Sequence, residues 1–320
     1  MAKPDLLMPG QMMGMIIDQL ETAFNVHKLW EASDGEALLE QVSDTVVAIA
    51  CGSHVTVDAA LMSRMPKLGI VSNFGVGYDT VDAAWAGQHG VYVTNTPNVL
   101  TEEVADTAMA LLLMTARELP AAERYLRAGK WPQRPYPLTK STLRDRKLGI
   151  FGLGRIGKAI ARRAEAFGLD ISYYNRSKAS DVAYAYHDTL EGLASAVDTL
   201  MVVVPGSEST QHAVSTDVLK ALGPNGILIN IGRGSVVDEN ALIKALKDGT
   251  IHSAGLDVFE DEPNVPQGLL DIDRIVLLPH VGSASVHTRN AMGQLVVDNL
   301  LNWKKTGKPL TPVNETPLRS

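Results

Sequence analysis

From Lys147 onward, short apolar runs alternate with stretches of helical spacing. The runs are KLGIF (147–151), ISYY (171–174), TLMVVV (199–204), GILINI (226–231), HSAGLDVF (252–259) and RIVLL (274–278). They are apolar throughout rather than alternating, the pattern of strands covered on both faces of a parallel sheet. Between the first two, Ile156, Ile160, Ala164 and Phe167 recur at helical spacing, and Gly168 supplies a stop. Between GILINI and HSAGLDVF lies ENALIKALKDG, a second helical pattern ending in glycine. Six strands with intervening helices predict a doubly wound α/β domain.

The first hundred residues repeat the style with DLLM, VHKLW, VVAIAC, LGIVS and VYVTN, which predict a second, smaller α/β unit. Its stretch KLGIVSNFGVGYDTVD echoes KLGIFGLGRIGKAIA with different glycine spacing, an echo of strand-to-helix geometry rather than a second cofactor site. Between the units, NTPNVLTEEVADTAMALLLMTARELP predicts one long connecting helix. Thr101 would cap it, Glu102 and Glu103 would sit at its positive dipole end, and Pro120 would end it. After His280, SASVHTRNAMGQLVVDNLLNWKKTG predicts a helix and then a polar tail returning to the first unit. The expected division is 1–98 with 285–320 for one domain and 99–284 for the other.

A length of 320 residues fits two domains, and 45% hydrophobic with 20% charged residues is ordinary for a globular protein. The net charge of −7 argues against a nucleic-acid partner. A single cysteine, Cys51, excludes an intrachain disulfide and fits a reducing compartment. MAKPDLLMPG lacks the apolar core of a secretory signal, and AMALLLM falls far short of the ~20 residues of a membrane span. A cytoplasmic protein without a membrane partner is expected.

GLGRIG places Gly152, Gly154 and Gly157 between a predicted strand and a predicted helix, in the G-x-G-x-x-G spacing of a dinucleotide phosphate loop. The first glycine permits the tight turn, the second lets backbone approach the pyrophosphate, and the third lets helix and strand pack closely. At the end of the next strand, where an acid would hold the ribose of NAD, stands Asn175, followed by Arg176, Ser177 and Lys178. An acid there would repel a 2′-phosphate by about 4 kcal/mol at ~4 Å and an effective dielectric of ~20. Asn175 removes that repulsion, Arg176 and Ser177 can bind the phosphate, and Lys178 adds positive potential. NADP(H) is therefore the expected cofactor, with NAD(H) taken less readily; no metal is expected.

Arg233, Glu262 and His280 each lie just after a predicted strand, on the edge where open α/β sheets bind ligands. Singly, each reads as an ordinary loop residue. Together beside a nicotinamide site they supply what reduction of a 2-keto acid requires. Arg233 is a forked cation for carboxylate and carbonyl, His280 a proton donor, and Glu262 a carboxylate that favours the imidazolium.

At this point the sequence resembles the D-isomer-specific 2-hydroxyacid dehydrogenases. FGLGRIGKAIARRAEAFG, LINIGRGSVVDENALIKAL, AGLDVFEDEP, LLPHVGSAS, NFGVGYDTVD and NTPNVLTEEVADTAMALLL all look like motifs of that family, over nearly the whole chain. The resemblance implies a Rossmann-type cofactor domain, a smaller flavodoxin-like substrate domain, and a triad of Arg233, Glu262 and His280. It implies cofactor contacts at Thr107, Leu153, Arg155, Ile156, Val204, Pro205, Ile231, Asp257 and Gly282, and substrate contacts at Val76, Gly77 and Ser283. Within the family, NRS in place of an acid resembles NADPH-preferring glyoxylate/hydroxypyruvate reductases and hydroxyphenylpyruvate reductases. The resemblance also implies a homodimer, with KWPQRPYPL as a candidate dimer loop bearing Trp131 and Tyr136, and a selectivity pocket around Ser53 and His54. A dinucleotide-sensing corepressor is the alternative from another class, since some relatives on this fold keep the triad yet act by binding partners.

Overall fold

The computed structural model describes residues 2–52 and 55–318; Ser53 and His54 lie outside the described residues. The chain divides into two compact units, Met1–Leu100 with Ser285–Ser320, and Thr101–Ala284.

The smaller unit holds β1 (Asp5–Met8), β2 (Asn25–Lys28), β3 (Val46–Gly52), β4 (Ile70–Phe74) and β5 (Tyr92–Thr94). They form a parallel sheet in the order β2-β1-β3-β4-β5, the flavodoxin-like arrangement. Alternate residues feed two cores, as a strand's period of two requires. Leu7, Ile49, Val71 and Val93 join one cluster, whereas Leu6, Met8, Ala48, Ala50, Ile70 and Tyr92 join the other. The C-terminal helix Val286–Thr306 packs on β4 and on the helix Gly14–Ala23. Ser285 caps it by accepting the N–H of Thr288, and Gly307 ends it in the left-handed conformation. The tail then lies along β5, where Val313 donates to the Val93 carbonyl at 2.9 Å.

The larger unit holds β6 (Lys147–Phe151), β7 (Asp170–Tyr174), β8 (Ala185–Tyr186), β9 (Thr199–Val202), β10 (Ile227–Asn230), β11 (Ser253–Leu256) and β12 (Val276–Leu277). All run parallel, in the order β12-β11-β10-β9-β6-β7-β8. Chain order reverses between β6 and β9, the crevice where doubly wound folds bind ligands. The six expected strands are present, and β8 is an edge strand of two residues, AY, too short to leave a pattern. Several apolar runs overshoot their strands. Ile231, Val258 and Phe259 are buried in the loops that follow pairing, so their apolar character reports burial rather than strand.

The connecting helix differs from expectation. It spans Thr101–Ala116 with Thr101 inside it, and a second helix, Leu119–Arg127, follows. Pro120 opens that second helix rather than closing the first, because a first-turn position has no N–H partner to lose. The break falls at Glu118, whose φ of 52° no α-helix contains. Phe167 also departs from its pattern: it is 49% exposed beyond the end of the helix Arg155–Ala166. Among the described residues no helix is long and apolar enough to cross a membrane.

The helix Thr101–Ala116 lies on β10, β11 and β12, with Leu111 fully buried. Leu111→Ala should cost about 2–5 kcal/mol, read as a lowered denaturant midpoint without a change in slope.

Candidate active site

At the crevice of the larger unit, β6 ends in the glycine loop. Gly152 has a φ of 105°, and a Cβ there would meet Val204 Cγ1 at 2.8 Å and its N at 2.9 Å. A Cβ on Gly157 would lie 2.3 Å from the Gly152 carbonyl oxygen. Those two glycines are therefore fixed by the protein's own packing, and Val204 and Pro205 come to the loop from the end of β9. Gly154 is different. A Cβ there meets nothing within 4 Å, so no protein atom requires a glycine at the loop tip. Gly154 is also the N-cap of the helix Arg155–Ala166 and offers no side-chain cap to its first N–H groups. A positive helix end behind a bare backbone suits an anion. Leu153 is buried and Ile156 half-buried, packing the loop base while Arg155 begins the helix.

Asn175 follows β7 and makes a contact the sequence did not disclose. Its Oδ1 accepts the N–H of Leu153 at 2.7 Å, holding the glycine loop. Arg176, Ser177 and Lys178 follow it, all exposed.

The loops after β10, β11 and β12 carry the other candidates. Beyond β10, Asn230 is 1% exposed and bridges its own turn: Oδ1 accepts from Gly232 at 3.1 Å and Nδ2 donates to the Arg233 carbonyl at 2.8 Å. Arg233 Nη1 donates to the Gly232 carbonyl. Beyond β11, Glu262 Oε1 accepts the Phe259 N–H at 3.0 Å, while Oε2 meets His280 Nδ1 at 2.7 Å. The two side chains are only 19% and 30% exposed, so this pair is better shielded than a surface contact. His280, beyond β12, has a φ of 52°, and its N–H donates to the Asp257 carbonyl at 2.8 Å. The Asp257 carboxylate accepts from Val281 and Gly282, each at 2.8 Å. Burial pushes its pKa up, against the lowering effect of those two N–H donors and of the nearby His280 ring. Thr107 donates to the Gly282 carbonyl at 3.2 Å, Ile231 lies near Gly282, and Ser283 is buried beside it.

In the smaller unit, Val76 and Gly77 follow β4. The carbonyls of Gly75, Val76 and Gly77 are all taken up, by Thr96 N–H at 2.9 Å, Asn95 Nδ2 at 2.8 Å and Asn73 Nδ2 at 2.9 Å. In a trans peptide the N–H points opposite to the carbonyl, so the N–H groups of Val76 and Gly77 face away from those anchors. In the expected dimer loop, Trp131 is 64% exposed, whereas Tyr136 donates to Glu118 Oε2 at 3.0 Å and sits edge-on to Tyr125.

Sequence reading missed Asn230 and Glu239, both buried polar residues. Asn230 had a signal, a lone amide inside the run GILINI. Glu239 had none, since an acid at a helix start is ordinarily solvated.

The glycines make a contrasting pair. Gly157→Ala should destabilise the unit, while Gly154→Ala should leave the melting temperature unchanged and weaken dinucleotide binding tenfold or more. Equal NADPH affinity in Gly154→Ala and wild type, by fluorescence titration, would remove the loop tip from the binding surface.

A family model described as D-isomer specific 2-hydroxyacid dehydrogenase, NAD binding domain, matches residues 109–282. A glyoxylate/hydroxypyruvate reductase A of Arabidopsis thaliana is 47% identical, over 96% of this chain and 98% of its own. A hydroxyphenylpyruvate reductase of Plectranthus scutellarioides is 44% identical, over 96% and 98%. Among solved structures, an NADPH-dependent glyoxylate/hydroxypyruvate reductase of Sinorhizobium meliloti in complex with NADP and malonate superposes with a TM-score of 0.93. Its sequence identity is 52%, covering 100% of this chain and 99% of that one. The chain belongs to the D-isomer specific 2-hydroxyacid dehydrogenases.

Proposed function

We propose that this protein is an NADPH-dependent reductase of small 2-keto acids, with glyoxylate and hydroxypyruvate as its substrates. The observation that carries the reading is the 2.7 Å contact between His280 Nδ1 and Glu262, on the same sheet edge as Arg233 and the glycine loop. The relatives named for glyoxylate and hydroxypyruvate reduction support the substrate class.

The loop fits a dinucleotide: open space at Gly154, an uncapped helix N-terminus, and a loop backbone held by Asn175. Leu153 to Gly157 would hold the pyrophosphate, with Thr107, Val204, Pro205, Ile231, Asp257 and Gly282 lining the rest of the cofactor's path. Arg176 and Ser177 would take the 2′-phosphate, and Asn175 serves by being neutral and by fixing the loop. Bound NADPH supplies the hydride that C2 of the keto acid receives.

The chain's residues supply the rest. Arg233 grips the substrate carboxylate and carbonyl oxygen with its planar fork. With Nδ1 engaged by Glu262, Nε2 is the nitrogen from which His280 passes a proton to the developing alkoxide. Glu262 keeps the ring oriented through its contact with Nδ1. The outward N–H groups of Val76 and Gly77 suit a carboxylate, and Ser283 adds a hydroxyl. In this assignment 1–98 with 285–320 is the substrate-binding domain and 99–284 the NADP-binding domain. We further propose a cytoplasmic homodimer built on the exposed apolar stretch of Leu119, Leu126, Trp131 and Leu138.

The first test is a panel of glyoxylate, hydroxypyruvate, pyruvate and hydroxyphenylpyruvate with NADPH and NADH. The 44% identity to a hydroxyphenylpyruvate reductase is the reason for the aromatic arm. His280→Ala should lower kcat by about 10²–10⁴-fold while leaving NADPH binding intact; undiminished turnover would remove His280 from the mechanism.

A second test addresses the cofactor. Asn175→Asp with Arg176→Ala should move the kcat/KM ratio towards NADH, because the Asp still accepts from Leu153 but repels a phosphate. A double variant that kept its NADPH preference would place recognition of the phosphate elsewhere.

A further inference from the structure

We infer that Glu239 is a positioning residue for the Glu262–His280 pair, acting by holding the backbone turn from which Glu262 projects. The inference rests on the reading of that pair as the group that delivers the proton.

Glu239 opens the helix Glu239–Asp248, directly after its N-cap Asp238. A first-turn acid normally faces water and interacts with its own helix end. This one is only 7% exposed. Its Oε1 reaches out of the helix and accepts the N–H of Glu260 at 2.9 Å. The preceding N–H, that of Phe259, is accepted by Glu262 Oε1 at 3.0 Å. Two consecutive N–H groups are thus bound by two carboxylates, one from within the turn and one from outside it. The inner carboxylate is the one whose other oxygen meets His280.

A second contact ties the same segment to the same turn. A Cβ on Gly234 would lie 1.8 Å from the Phe259 carbonyl carbon and 2.3 Å from the Glu260 nitrogen. The backbone beside Arg233 therefore presses directly on the peptide whose N–H Glu239 binds. Residues 233–239 carry Arg233 at one end, this backbone contact next to it, and the anchoring carboxylate at the other. Arg233 and Glu262 are registered against each other through one short stretch of chain.

The placement is electrostatically costly. Burial pushes the pKa of Glu239 up, and the nearby carboxylates of Glu260, Asp261 and Glu262 push it the same way, against the lowering effect of the Glu260 N–H. A solvated polar turn would be better off without a buried acid among three others. Holding Glu262 in line with His280 gives this one a reason to be there, since a displacement of about 1 Å at a reacting group can cost roughly 10²-fold in rate.

The test compares Glu239→Ala with Glu239→Gln in the full-length protein, using NADPH and glyoxylate. Gln keeps an oxygen for the Glu260 N–H; Ala does not. Glu239→Ala should lower kcat by about 10–10²-fold, with KM and NADPH affinity within a few-fold of wild type. Glu239→Gln should recover most of the rate. Wild-type kcat in the Ala variant would overturn the inference. So would an equal loss in both variants, or a loss in Glu239→Ala that falls on KM and NADPH affinity rather than on kcat, either of which would make Glu239 a general fold residue. Glu262→Gln in the same assay separates the two ideas. If that variant is as fast as wild type, the pair itself fails; if it is slow while Glu239→Ala is fast, only the role of Glu239 fails.

Discussion

Every strand of the larger sheet runs in the same direction, so the loops after β6, β9, β10, β11 and β12 all leave from one edge. That parallelism is the constraint on which the candidate chemistry depends. It places the glycine loop, Val204 and Pro205, Arg233, Glu262 and His280 on one rim, although they are scattered over more than a hundred residues of sequence. Parallel strands require long crossover connections, and the helices that make them bury both faces of the sheet. The apolar runs and the clustering of the candidate loops are two consequences of one geometry.

What turns a rim of loops into a site is the supply of acceptors to backbone N–H groups. Asn175 holds Leu153, Asn230 closes the turn at Gly232 and Arg233, and Asp257 holds Val281 and Gly282. Glu262 and Glu239 hold Phe259 and Glu260. In the smaller unit Asn73 and Asn95 do the complementary job, binding carbonyls so that N–H groups face outward. An unpaired buried backbone group costs about 1–3 kcal/mol, so each buried side chain removes a penalty as well as fixing a loop. Asp257 and Glu239 show the cost: burial pushes both carboxyls towards the neutral form.

Much of this was legible in the chain. The long apolar runs located the strands because burial on both faces leaves no polar residue to interrupt them. GLGRIG was legible because two of its glycines answer steric demands inside a strand-turn-helix unit, which recur wherever that unit is built. Pro120 was misread because proline punctuates helices at either end, and only the left-handed Glu118 tells which end applies. β8 was invisible because two residues carry no periodicity.

The sequence by itself determined the strand-helix alternation, the residue types at the loop ends and the absence of an acid at Asn175. These are local properties: hydrophobic period, backbone permissiveness and side-chain charge. Only the tertiary structure decided that Asn175 Oδ1 turns to Leu153, that Glu262 divides its oxygens between Phe259 and His280, and that Glu239 turns inward to Glu260. Each of those is a choice among several acceptors or donors that a side chain could satisfy equally well in water. Burial removes the water, and the partner is then whichever group the packing brings within reach.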